Sequence, residues 1–98
     1  MGSLSDIFKP TPPPTRDALA EVDPDMLFAD GFDDALVGYA ELFGRPPLAV
    51  YDRAKCIDIL MTRDGMDYDG AVEFFEFNTL GAWVGEHTPI FLTTPELA

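Results

Sequence analysis

The stretch "RDGMDYDGAVEFFE", Arg63 to Glu76, carries two readings that lead to different folds. In one it is a calcium loop, with Asp67, Asp69, Gly70 and Glu76 at the third, fifth, sixth and twelfth positions of an EF-hand pattern. In the other it is the junction of two helices. Gly65 ends the first, Asp67 caps the second, and Met66 staples onto Ala71. The calcium reading fails at its lead position, because Gly65 offers no side-chain oxygen and Asp64 lies one residue out of register. The helical reading also accounts for Asp69 and Glu73, which sit near the positive end of the second helix dipole. We therefore read a helical hairpin and no metal site.

The flanks extend that hairpin. Asp52 can cap a helix running to about Arg63, with Cys56, Ile57, Leu60 and Met61 on one face. The second helix, Tyr68 to Leu80, turns Val72 and Phe75 inward. Phe74, Phe75 and Phe77 cannot all face one way, so at least one lies on a flank open to the sheet, a partner or a second copy.

Upstream, "ALVGYAELFGRPPLAVYD" admits a helix through Leu36, Tyr39, Ala40 and Phe43, capped by Asp33 and stopped by Gly44. It also admits a β-hairpin with "GRPP" as its turn and Leu48 to Tyr51 as its second strand. The Pro46–Pro47 pair bars a helix from running into Leu48, which favours the hairpin. Earlier still, "RDALAEV" predicts a turn or two of helix stopped near Pro24, followed by a loop pinned by Met26, Leu27 and Phe28. At the other end, "GAWVGEHTPIFL" closes in a short strand around Ile90 to Leu92. The fold expected is a small two-layer α+β domain: β-hairpin, helical hairpin and short closing strand.

"KPTPPPT", Lys9 to Thr15, suits polyproline II rather than helix or central strand, so residues 1–16 read as a proline-rich arm and 17–98 as one domain. The arm is chiefly a lead-in to the domain. Docking in an SH3-like groove is the functional alternative.

Ninety-eight residues, nearly half of them apolar, allow one modest core. Eighteen acids against six bases leave a net charge of −12, which repels nucleic acid and anionic membrane and attracts basic partners. The charge is also segregated. Asp17 to Gly44 holds eight acids and no Lys or Arg, and seven more acids with no base follow Arg63. One cysteine, no apolar run long enough to span a bilayer and no signal-like start together predict a cytoplasmic protein.

Chemistry finds little purchase. His87 is the only histidine, and Cys56 falls on a helix face that must be buried, so a small core hydrophobe is the better reading than a His–Cys pair. One His and one Cys are too few for zinc. Carboxylate pairs abound without any being singled out, and there is no phosphate-cradling glycine loop. The expectation is no enzyme, no catalytic residue and no cofactor.

From about Phe32 onward, "GFDDALVGYA", "VYDRAKCIDILMTRDGMDYDGAVEFFEFN" and "GAWVGEHTPIF" resemble a small family of phage and bacterial proteins. The resemblance covers roughly the last two-thirds of the chain, supports the helical hairpin and brings no catalytic residues. Together with the acidity it implies a host-takeover role. Carboxylates spaced over a rigid surface would occupy the DNA channel of a basic host protein, such as a CRISPR effector or another nucleic-acid enzyme. The expected phosphate substitutes are Asp30, Asp33 and Asp34 before the hairpin, and Asp64, Asp67, Asp69, Glu73 and Glu76 along the second helix. Asp69, Glu73 and Glu76 follow helical steps of four and three, which predicts one acidic stripe. The alternative is a structural or regulatory accessory protein acting through self-association as a homodimer, its acidity only a solvated surface.

Overall fold

The computed structural model describes residues 14–95. Helix α1 (Arg16–Val22) comes first, with the Thr15 hydroxyl accepting a bond from the Ala18 N–H. A short 3-10 turn (Asp33–Ala35) leads into strand β1 (Leu36–Ala40), which pairs antiparallel with β2 (Leu48–Asp52). Helices α2 (Arg53–Asp64) and α3 (Tyr68–Phe75) follow, then a π-helical turn (Glu76–Leu80) and strand β3 (Ile90–Leu92). The sheet order is β1-β2-β3, and β3 lies parallel to β2. Parallel neighbours need a long crossover, and here the helical hairpin supplies it. The α+β architecture is the one the sequence predicts.

Local chemistry sets the element boundaries. Asp52 accepts from the Ala54 and Lys55 N–H groups and starts α2 directly from the end of β2. Gly65, at φ 71°, stops α2 in a left-handed conformation that glycine adopts without strain. Both its N–H and that of Met66 return to the Leu60 carbonyl. Asp67 then accepts from the Gly70 N–H at 2.8 Å and begins α3. The junction read as a failed calcium loop is a pair of helix caps.

Two expectations need correction. The hairpin turn is Leu42–Arg45, closed by a 3.0 Å bond from the Arg45 N–H to the Leu42 carbonyl, rather than "GRPP". Gly44, at φ 80°, takes the turn position that favours positive φ, and the prolines fall after it. The α-helix of the second arm ends at Phe75, because its last stretch widens into the π turn instead of running regularly to Leu80. Arg16 opens α1, where the sequence places the start of the "RDALAEV" helix. Residues 1–13, including most of the proline run, lie outside the described residues.

The core joins every layer: Leu19, Met26, Phe32, Ala35, Leu36, Ala49, Tyr51, Cys56, Ile57, Leu60, Ala71 and Phe75 form one buried cluster. Phe91 of β3 locks it, stacking on Tyr51 at 5.7 Å and meeting Phe75 edge-on at 5.1 Å. Of the three helix phenylalanines only Phe75 is buried, while Phe74 and Phe77 are exposed. Leu27 is also exposed, so Met26 and Phe28 pin the loop without it. No helix among the described residues is long and apolar enough to cross a membrane.

Candidate functional site

The loop between α1 and β1 folds back on the start of α1, and Arg16 is the reason. Its guanidinium donates to Asp33 at 2.7 Å, to Asp30 at 3.1 Å and to the Ala29 carbonyl at 3.1 Å, while lying over the Phe28 ring. One cation thus gathers acids that the sequence strings out over a flexible composition of Asp and Gly. Arg63 holds the other side of the same loop. It donates to the Gly31 carbonyl at 2.6 Å, lies over Phe32, and binds the Asp64 carboxylate through two nitrogens. That last hydrogen-bonded pair holds the Asp64 carboxyl below the usual carboxylate range.

Around the Asp33–Asp34 turn this produces an acidic corner with a groove on each side. One groove, of about 640 Å³, runs past Arg16, Asp17, Asp33, Asp34 and Lys55. The other, of about 400 Å³, runs past Asp33, Asp34, Ile59, Thr62 and Arg63. Asp17 was not among the acids expected from sequence. Its signal was its place in the first turn of a capped helix, which only the folded-back loop brings beside Asp34.

The eight expected acids do not form one surface. Asp33 and Asp34 share a groove with Ile59, Thr62 and Arg63 of α2. Tyr68, beside Asp69, shares a cleft with Arg53, Ala54 and Ile57 instead. At about 100° per residue these two sets point to opposite sides of α2. The acidic stripe on the second helix is also incomplete. Glu76 opens the π turn and is bonded to Arg53 at 2.9 Å, while the Arg53 guanidinium covers Phe75. Asp67 is committed to its cap. Asp34, Asp69 and Glu73 make no ion pair among the described residues, whereas Asp30, Asp33, Asp64 and Glu76 each share an arginine.

Such sharing does not remove a carboxylate from recognition. Exposed pairs of this kind hold together by roughly 0–1 kcal/mol, and an incoming cation can compete for them. At the corner, Asp17, Asp30, Asp33 and Asp34 face one guanidinium and one ammonium, so negative charge stays in excess. Open acidic grooves of this shape suit the cationic side chains of a macromolecule better than they enclose a small molecule.

Tertiary structure also brings His87 to Asp23 and Asp25, their ligand atoms all within 4.8 Å of one another. His87 Nε2 lies 4.0 Å from Asp23, and Asp23 accepts from the Asp25 N–H. These three are the residues among those described that could hold a metal ion. Cys56, read from the sequence as a small core hydrophobe rather than a partner for His87, is fully buried in the core, and its thiol is pushed up to about 12 by that burial. Comparison of the chain with protein-family models, with curated proteins and with solved structures returns no match.

Proposed function

We propose that this chain is a non-enzymatic acidic binding protein that docks on a basic, nucleic-acid-handling protein, its carboxylates taking the place of phosphates. The observation that carries the reading is the corner built around Arg16, where Asp17, Asp33 and Asp34 line a groove and Asp30 shares the arginine. Carboxylates on a fixed frame present charge without the ordering cost that a flexible acidic tail would meet on binding. Inhibition of the partner, as an anti-CRISPR or anti-restriction protein would achieve it, is the biological form this docking would take in a phage or mobile-element setting.

The test is capture of partners from a nuclease-treated bacterial lysate, followed by competition with duplex DNA. A nucleic-acid enzyme that is retained at low salt, displaced by DNA and lost with the D17N/D34N variant is the expected result. Retention unchanged in that variant would remove the corner from the interface. A specific observation also favours self-association with acidity as mere solvation: large apolar side chains, Phe43, Phe77 and Trp83 among them, are strongly exposed.

A further inference from the structure

Directly paired residues of a sheet point to the same side. The pairs Leu36–Tyr51–Phe91 and Tyr39–Ala49 therefore define the face that meets the helices, and Tyr51 and Ala49 are fully buried on it. The remaining pairs define the opposite face: Gly38–Val50–Ile90, Ala40–Leu48, and Leu92 beside Asp52. Among the described residues, Leu48, Val50, Ile90 and Leu92 belong to no part of the core, and Ile90 and Leu92 are 40% and 46% exposed. A sheet with one face in water alternates apolar and polar residues, whereas strands buried on both faces read as nearly continuous apolar runs. "LVGYA", "LAVYD" and "IFL" are runs of the second kind. In a chain with eighteen acids, this outer face keeps its only carboxylate, Asp52, turned to the cap of α2.

We propose that this outer face is covered by the same face of a second copy, in a two-fold dimer whose axis runs parallel to β2. The rim identifies the occupant. At the hairpin end, Glu41, Arg45 and Glu86 border a shallow cleft with Ala40, Leu48 and Ile90. Arg45 has no carboxylate partner among the described residues, although Arg16, Arg53 and Arg63 each have one. An axis along β2 lays β1 of one copy over β3 of the other and keeps the hairpin ends together. The two rims then meet, each carrying Arg45, Glu41 and Glu86, so that Arg45 of each copy faces the other's carboxylates and the contact occurs twice. A purely basic partner would find an uncharged face, with Arg45 standing between the two rim carboxylates. A second copy finds apolar surface and an opposite charge at the right corner.

Size sets the strength. Two five-residue strands and one three-residue strand, about 4.8 Å apart at about 3.3 Å per residue, give a footprint of roughly 200 Å², well below the ~800 Å² per partner of a stable interface. Leu42 and Phe43, exposed at the hairpin tip, widen it. The dimer is accordingly reversible, in the micromolar range or weaker. It strengthens with salt, because salt screens repulsion between two chains of charge −12 and leaves apolar burial intact.

Sedimentation velocity of the full chain over a concentration series, at about 0.05 M and about 0.5 M salt, tests this. A monomer–dimer equilibrium that tightens at high salt is expected. I90K should abolish it while circular dichroism and thermal unfolding remain near those of the parent, since Ile90 lies outside the core. R45E should weaken the dimer about tenfold at low salt, the scale of two rim-exposed pairs, and R45E/E86R should restore it. A monomer at every concentration, a dimer indifferent to I90K, or no rescue by the charge swap would overturn the proposal. D17N/D34N leaves this equilibrium unchanged, so failure here is distinct from failure of the acidic corner.

Discussion

Cys56 and Tyr51 titrate against the fold. Burial pushes the Cys56 thiol from 9.0 to about 12 and raises the Tyr51 phenol above its ordinary 10.0. Both are held protonated in the folded chain, so the stability they contribute is complete below their unfolded values and is lost as pH rises through the folded ones. For Cys56 that window runs from 9.0 to about 12. Denaturant unfolding across it should show stability falling with pH, and C56A should flatten the slope whatever it does to absolute stability. The same burial predicts that a thiol reagent at mildly alkaline pH labels the chain only after unfolding. Tyr51 also accepts the Ala29 N–H at 2.8 Å, so Y51F leaves a partly buried donor unpaired. A loss of about 1–2 kcal/mol in denaturant unfolding is expected. A neutral Y51F would mean that water reaches Ala29.

At the scale of elements, the caps of the helical hairpin decide more than propensity does. D67A should cost about 1 kcal/mol, the usual loss of a helix N-cap. Gly70, in the first turn of α3, looks like a site where alanine would help, by up to about 1 kcal/mol on propensity. A Cβ there would meet Asp67 Oδ1 at 2.8 Å, however, and the cap would have to move. G70A is therefore expected to destabilise the parent chain and to stabilise the D67A variant. Equilibrium unfolding of the double-mutant cycle reads that reversal of sign directly. Both caps were legible in the sequence because a cap is local, involving residues two or three apart. The π turn after Phe75 was not, because Glu76 and Phe77 read as ordinary helix until Arg53 ties Glu76 down.

For the whole molecule, the acidic corner and the outer sheet face call for opposite responses to salt. Each phosphate-like contact of the corner should behave as a released-counterion contact, so three of them lose roughly 40-fold in affinity for a fourfold rise in salt. Measuring partner affinity at two salt concentrations against this slope separates docking from apolar assembly, and a flat response would count against docking by charge.

By itself the sequence determined the element order, the hairpin over the competing helix, the helix junction and the burial of Cys56. Each of these follows from caps, prolines and periodicities that act over a few residues. Tertiary structure decided which acids stand together. Arg16 reaches across the fold to Asp30 and Asp33, and α2 separates Asp34 from Tyr68 and the start of α3. It also decided that His87 meets Asp23, and that among the described residues one face of the sheet beside the parallel closing strand is left uncovered. Such juxtapositions join residues from 14 to 64 positions apart, and no local pattern encodes which distant partner a charge will find.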